Sequence, residues 1–103
     1  MRVRWTANAA DDLMRIVELI LEADPVAVQR RARKANRLVA RRIARKMYAT
    51  IARLSRFPQS GRMGLAADTR ELVLLPWPYV AVYEVVEVEV RVLRIRHLWQ
   101  DWP

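Results

Sequence analysis

The feature that most limits the fold of this chain is a pair of neighbouring helical patterns with almost nothing between them. Five apolar residues recur at the spacing of one helix face, which predicts an amphipathic helix over residues 7–23 with Thr6 as its N-cap. These residues are Leu13, Ile16, Val17, Ile20 and Leu21. The step Asp24-Pro25 ends this helix and begins another, with Asp24 as its cap. Two helices joined so closely are expected to lie antiparallel, as a helical hairpin.

The second helix is predicted to run to about residue 56, since neither Gly nor Pro interrupts it before Pro58. It carries an apolar stripe at helical spacing, which we expect to face the core. The members of the stripe are Ala35, Val39, Ile43, Met47, Ile51 and Leu54.

Strand patterns lie on both sides of the helices. Near the N-terminus, Val3 and Trp5 alternate with arginines, as in a strand with one buried face. A loop over residues 57–64 follows the helices, and then three strands are predicted at 69–75, 79–86 and 88–97.

The last two strands are joined near Glu87, and this connection contains neither Gly nor Asn. We therefore expect a longer or irregular hairpin there. In the last strand the apolar positions change phase near Val92, which indicates either a bulge or burial of both faces.

The order β-α-α-β-β-β predicts an α+β fold, in which a small antiparallel sheet carries the helical hairpin on one face. The chain has 103 residues and shows no repeat or linker, so we expect a single domain over residues 1–103.

Composition excludes several classes of protein. The chain has no Cys and a single His, so disulfide scaffolds, thiolate zinc sites and paired-histidine centres are ruled out, and we expect no metal or cofactor. No apolar run approaches the roughly 20 residues that span a bilayer. The first five residues also lack the apolar core of a signal peptide. We therefore expect a cytoplasmic protein without a membrane partner.

Positive charge is concentrated in one segment. The net charge is +8, and residues 25–56 hold eleven Lys and Arg and no acid. Such a segment is either a solvated helix surface or an electrostatic footprint for nucleic acid or an acidic protein. As the partner-binding residues we single out Arg30, Arg33, Lys34, Arg37, Arg41 and Arg45.

A second set of polar residues is distributed over the loop and the three predicted strands. Arginine binds phosphate or carboxylate with several donors, while Tyr and His can transfer protons at a phosphate. Each residue also has an ordinary structural interpretation, as a packed aromatic, an ordering ion pair or a strand-end histidine. The set consists of Arg62, Arg70, Tyr83 and His97.

Two tryptophans lie at the end of the chain. The simplest interpretation of Trp99 and Trp102 is an apolar clamp that packs the C-terminal segment on the rest of the domain.

Short motifs in a fixed order carry a family resemblance over nearly the whole chain. They are Trp5-Thr6, Ala10-Asp11-Asp12-Leu13, Asp24-Pro25, Phe57-Pro58, Gly61-Arg62, Thr69-Arg70-Glu71-Leu72, Pro78-Tyr79, Val82-Tyr83, and His97 followed by Gln100-Asp101-Trp102-Pro103. In this order they resemble the ParE/RelE superfamily, the toxins of bacterial type II toxin–antitoxin modules. The resemblance implies a small antiparallel sheet with a helical hairpin, and a cognate acidic antitoxin that binds as a hetero-oligomer.

The resemblance also implies one of two activities. RelE-like toxins cleave mRNA on the ribosome without a metal, and here that chemistry would depend on Arg62, Arg70, Tyr83 and His97. ParE-like toxins inhibit DNA gyrase. The RelE branch has a catalytic arginine where this chain has Leu75, and it has lysines before that strand, where residues 63–68 have none. The resemblance therefore favours a ParE-like gyrase inhibitor. The alternatives are the ribonuclease and, from a third class, a basic nucleic-acid-binding module without toxicity.

Overall fold

The computed structural model describes the backbone of residues 1–23 and 32–99, and the side chains of residues 1–22 and 37–99. Five strands, two helices and one short 3-10 turn make up these parts of the chain. In chain order they are β1 (Arg2–Trp5), α1 (Ala7–Ala23), α2 (Ala32–Ala52), the 3-10 turn Arg53–Ser55, β2 (Arg62–Met63), β3 (Arg70–Val73), β4 (Tyr79–Val86) and β5 (Glu89–His97).

The five strands form one sheet in the order β1-β5-β4-β3-β2. Neighbouring strands are antiparallel except for β1, which runs parallel to β5. The sheet is therefore mostly antiparallel, as predicted, with one parallel pair at this edge. Parallel pairing needs a long crossover connection, and the helices together with β2–β4 lie between the two strands in the chain. The two-residue strand β2 lies within the stretch that we predicted to be loop.

The hairpin between β4 and β5 is tighter than the sequence suggested. Val86 pairs with Glu89, so the connection consists of Glu87 and Val88 alone. Glu87 has φ 56°, a left-handed conformation that costs a non-glycine residue about 1–2 kcal/mol. Of the two expected alternatives, the longer loop is wrong. The hairpin is short but irregular, because a non-glycine residue takes the left-handed conformation in place of a Gly or Asn.

The predicted bulge in β5 is confirmed. Val82 pairs with Arg94 while the next residue of β4, Tyr83, pairs with Val92. Leu93 is therefore an extra residue without a direct partner in β4. One inserted residue changes which side chains face the core, which explains the change of phase in the apolar pattern.

Helix α1 has the predicted bounds, and its N-terminus is capped as expected. The Thr6 hydroxyl accepts a hydrogen bond from the Ala9 amide at 3.1 Å and donates one to the Leu93 carbonyl at 2.9 Å. The same side chain thus caps the helix and attaches it to the bulge of β5. The predicted helix break at Asp24-Pro25 lies outside the described residues.

Among the described side chains of helix α2, the buried ones lie along its C-terminal half. Ile43, Met47 and Ile51 are buried, as is Leu54 in the following 3-10 turn, whereas Val39 is 43% exposed. The prediction that the stripe would be buried throughout is wrong at Val39, since the core begins one turn later. Ala35 lies among the residues whose side chains are not described.

The residues of β4 show which side of the sheet faces the helices. Tyr79, Ala81 and Tyr83 belong to or pack against the same core as the helices. Because side chains alternate along a strand, Val80 and Val82 lie on the other side, which we call the open face. Residues paired directly with them share this face, and they include Val73, Glu71 and Arg96. Arg62 joins them through its pairing with Glu71.

Candidate functional site

Tyr83 fastens the loop that follows the helices. Its side chain is fully buried, and its hydroxyl donates a hydrogen bond to the Pro58 carbonyl at 2.8 Å and accepts one from the Gly61 amide at 2.9 Å. Burial raises the pKa of this phenol above its usual value near 10. The hydroxyl is therefore a protonated, buried tether for the loop.

Gly61 allows this contact because it has no side chain. A Cβ at this position would come within 2.6 Å of the Tyr83 hydroxyl and 2.9 Å of the Glu71 carbonyl. Only a glycine lets the loop backbone approach the phenol so closely.

Arg70 fastens the same loop from the neighbouring strand, where it pairs directly with Tyr83. Its guanidinium donates to the Gly61 carbonyl at 2.9 Å and to the Gln59 carbonyl at 3.2 Å. It also donates to the Gln59 side chain at 3.1 Å. The structure therefore brings Arg70 and Tyr83 together, and both hold the loop over residues 58–61.

Arg62 belongs to an ion-pair network on the open face. The buried Glu71 carboxylate accepts hydrogen bonds from Arg62 at 3.1 Å through one oxygen and from Arg96 at 2.6 Å through the other. Arg96 is 5% exposed, whereas more than half of the Arg62 side chain is exposed. Burial alone would raise the pKa of Glu71, but the hydrogen bonds and charges of the two arginines outweigh it and hold the pKa below its usual value.

His97 lies at the far end of the sheet, opposite Tyr79. Its ring makes an edge contact with the Tyr79 ring, with centroids 5.3 Å apart, and Nδ1 accepts a hydrogen bond from the Trp99 amide at 3.3 Å. A cavity of about 360 Å³ opens beside it, between the end of β5 and α1. Arg94 closes one side of this cavity by a two-bond ion pair with Asp12, at 2.8 and 3.0 Å.

The four candidate catalytic residues are divided between two faces and two ends of the sheet. Arg70 and Tyr83 are adjacent on the helix side, and Arg62 lies on the open face. His97 is opposite Tyr79, four residues from Tyr83 along β4 and thus about 13 Å away at the usual rise of a strand. Within the described residues, no group of three metal-ligating side chains is present.

The predicted partner-binding residues lie on α2 or just before it. Arg37, Arg41 and Arg45 are exposed on the helix surface. Arg33 and Lys34 belong to the first turns of α2, but their side chains are not described, and Arg30 lies outside the described residues. In the described helices, no segment is long and apolar enough to cross a membrane.

Trp99 does not pack as predicted. Its side chain is 77% exposed, although its ring centroid lies 5.1 Å from that of His97. The clamp interpretation is wrong for Trp99, because most of its side chain is exposed. Trp102 lies outside the described residues.

Comparison with known proteins identifies the family to which this fold and these residues belong. A family model described as the ParE toxin of the type II toxin–antitoxin system parDE matches residues 30–102. The chain belongs to the ParE toxin family. The sequence resemblance to the ParE/RelE superfamily is thereby confirmed.

Individual relatives agree with the family. The candidate toxin Y4kP of Sinorhizobium fredii is 36% identical over 102 residues, a match that covers 99% of this chain and 93% of the relative. Toxin RelE2 of Caulobacter vibrioides is 34% identical over 96 residues, covering 93% of each chain. The structure is also similar to a chain of a solved structure described as the chromosomal ParDE toxin–antitoxin system from P. aeruginosa. That chain is 25% identical, with a TM-score of 0.72 and coverage of 95% of this chain and 96% of its own. The expected α+β fold with a helical hairpin is confirmed.

Sequence reasoning did not find the acids that organise this ParE toxin. Glu71 joins two arginines on the open face, and Asp12 holds Arg94 and also accepts a hydrogen bond from the Ile95 amide at 2.9 Å. The available signal was their position: Glu71 lies inside a predicted strand, and Asp12 is one residue before the apolar stripe of α1. An acid in such a place must be buried with a partner or turned to solvent.

Proposed function

We propose that this ParE family toxin inhibits DNA gyrase and is neutralised by a cognate acidic antitoxin. We choose gyrase over RNA cleavage because Tyr83 and Arg70 are both occupied in holding the loop over residues 58–61. The Tyr83 hydroxyl has no exposed surface to offer a substrate, and the Arg70 guanidinium holds three oxygen atoms of the loop. The proposal assigns a cytoplasmic location, because gyrase acts on chromosomal DNA.

Metal-free cleavage of RNA requires a different arrangement. A base must take the proton of the 2′-hydroxyl, an acid must protonate the leaving oxygen, and cations must stabilise the phosphate, all on one surface. In this chain His97 is separated from Tyr83 along β4, and Arg62 is on the opposite face from both. A gyrase inhibitor needs no proton transfer, so the separation is no obstacle to it.

The experiment that tests the target compares two activities of the purified toxin. We expect inhibition of DNA supercoiling by gyrase, no cleavage of ribosome-bound mRNA, and nearly full gyrase inhibition by the His97→Gln variant. Loss of a positioned acid or base would lower an enzymatic rate about 10²–10⁴-fold, which is easily separated from no effect. Codon-specific cuts in mRNA that disappear in His97→Gln would overturn the proposal and establish the ribonuclease.

The proposed antitoxin site combines the helical hairpin with an edge of the sheet. Strand β2 covers only Arg70 and Glu71 of β3, so Leu72 and Val73 offer an edge to an added strand in the described structure. The cations of α2, among them Arg37, Arg41 and Arg45, attract an acidic chain from a distance. Such steering acts over about 8–10 Å of solution and raises the association rate without requiring contact.

Co-purification tests the antitoxin proposal. The product of a short acidic open reading frame beside this gene should co-purify with the toxin at low salt, and its association rate should fall as salt is added. Neutralising Arg37, Arg41 and Arg45 should slow association and leave the dissociation rate nearly unchanged. Failure to co-purify at low salt would contradict the proposal.

A further inference from the structure

The exposed surface of α2 is strongly basic, although Leu38 is also exposed there. Six exposed cations lie on α2 or in the 3-10 turn that follows it, at the flanks and back of the helix relative to the buried residues Ile43, Met47 and Ile51. We call them the basic band, and they are Arg37, Arg41, Arg42, Arg45, Lys46 and Arg53.

The cations of the basic band have no internal counter-charge in the described structure. Across the described residues, none of the six takes part in an ion pair. Five arginines of the sheet, by contrast, are each paired with an acid. These paired arginines are Arg4, Arg62, Arg91, Arg94 and Arg96.

This lack of counter-charge has an energetic cost. Arg37, Arg41 and Arg45 follow one another at four-residue spacing, and each like-charged pair at that spacing destabilises a helix by about 0.2–0.5 kcal/mol. No acid occurs between residues 25 and 56 to relieve the repulsion. Within the described residues, therefore, no anion complements the basic band.

We propose that the basic band binds the phosphate backbone of duplex DNA. From Arg37 to Arg53 it extends about 24 Å along the helix, at 1.5 Å per residue. A DNA segment of that length carries roughly fourteen negative charges. Five of the six residues are arginines, whose planar guanidinium matches phosphate with two parallel donors.

The composition of the band indicates contact with the backbone rather than with the bases. It contains no aromatic residue on which a base can stack, and its neighbour Tyr48 is already stacked on Trp5, with ring centroids 5.7 Å apart. DNA is favoured over duplex RNA, because the major groove of B-form DNA is about 12 Å wide and admits a helix. The major groove of A-form RNA is too narrow for side chains to enter and contact the bases. Binding independent of sequence is therefore expected.

This inference goes beyond inhibition of gyrase, because it gives the toxin its own contact with DNA whatever its protein target is. It also differs from the electrostatic steering of an antitoxin, which requires no direct contact with the basic band. The competing occupant is an acidic protein segment that lies directly on the band, and the experiment below separates the two.

The experiment measures binding of the full chain to a 20-base-pair duplex by fluorescence anisotropy over a series of salt concentrations. The test variant is Arg41→Gln with Arg45→Gln, and the matched control is Arg4→Gln with Arg91→Gln. Both double variants lose the same charge, but Arg4 and Arg91 are paired with Glu89 on the sheet. Circular dichroism and thermal melting confirm that both remain folded.

For the test variant we expect the slope of log K against log salt concentration to decrease in magnitude by about 2, because each phosphate contact contributes about 0.9 to the slope. The affinity at 0.1 M salt should fall at least tenfold. The control should keep the wild-type slope. Equal losses of affinity in both variants would show that only the net charge of the protein matters and would overturn the proposal. Wild-type binding weaker than about 100 µM at 50 mM salt would also overturn it. Tighter binding of polyglutamate or of duplex RNA would overturn the assignment to DNA.

Discussion

Replacing Tyr83 by Phe separates a structural tether from a catalytic group. The substitution keeps the ring in the core and removes only the hydroxyl, whose two hydrogen bonds join β4 to the loop at Pro58 and Gly61. The variant therefore tests whether this hydroxyl holds the fold together.

The size of the effect follows from the groups that are left without a partner. The Gly61 amide is buried, and an unsatisfied buried donor costs about 1–3 kcal/mol. The Pro58 carbonyl is partly exposed and can recover a bond to water, so it adds about 1 kcal/mol or less. We expect the free energy of unfolding to fall by about 1–4 kcal/mol, which in a domain of this size lowers the melting temperature by roughly 5–20 °C.

Urea denaturation followed by circular dichroism measures this loss, with Tyr48→Phe as the control. Tyr48 is 57% exposed and its hydroxyl makes no hydrogen bond within the described residues, so the control should change stability by less than about 0.5 kcal/mol. Gyrase inhibition per folded molecule should be the same for both variants well below their melting temperatures. A Tyr83→Phe variant as stable as Tyr48→Phe would refute the reasoning, and one that is stable but inactive would reveal a chemical role for the hydroxyl.

Three further changes test the ion pairs and the exposed tryptophan. Glu71→Gln leaves the buried Arg96 without its counter-charge, so it should lower the free energy of unfolding by about 3–5 kcal/mol in urea denaturation. Because the pKa of Glu71 is lowered in the folded state, its ion pairs stabilise the wild type above about pH 4.5. This stabilisation is lost as the pH falls through the pKa of Glu71 in the folded protein. The free energy of unfolding should therefore fall less steeply with acid in the variant than in the wild type. Asp12→Asn cannot accept all three hydrogen bonds and should cost about 1–3 kcal/mol, measured the same way. Trp99→Ala should shift the melting temperature by only a few degrees, and a loss typical of a core aromatic would contradict its exposure.

The sequence predicts those parts of the fold in which one face is buried regularly. Helix α1 has the predicted bounds, because it repeats its apolar residues at a single period against the core. Strand β4 also has them, because its apolar run is bounded by Pro78 and by the turn at Glu87, although it is buried on both faces. The partner of β1 could not be predicted in this way. Alternation shows that Val3 and Trp5 share a face, but it says nothing about which strand lies alongside or in which direction. The predicted burial of Val39 was wrong for a related reason. Periodicity shows which face of a helix points inward, but it does not show where along the helix the core ends.

The candidate site was harder to predict than the fold. Residue types suggested that Arg62, Arg70, Tyr83 and His97 form one group, but position in the sheet separates them, since one step along a strand changes the face. Glu71 was not recognised at all, because its importance comes from Arg96, 25 residues later in the chain. Contacts of this range have no local signature in a single sequence.

The pairing of the first strand with the last has a consequence for how the toxin is made. Strand β1 hydrogen-bonds only to β5 within the described sheet, and Thr6 and Asp12 at the start of α1 also bind residues of β5. A ribosome releases the N-terminus first, so the opening residues wait unpaired until nearly all of the chain has been translated. A nascent chain interrupted before residue 89 lacks the strand to which β1 and the start of α1 bind, so synthesis abandoned part-way leaves a fragment that cannot close its sheet on the first strand.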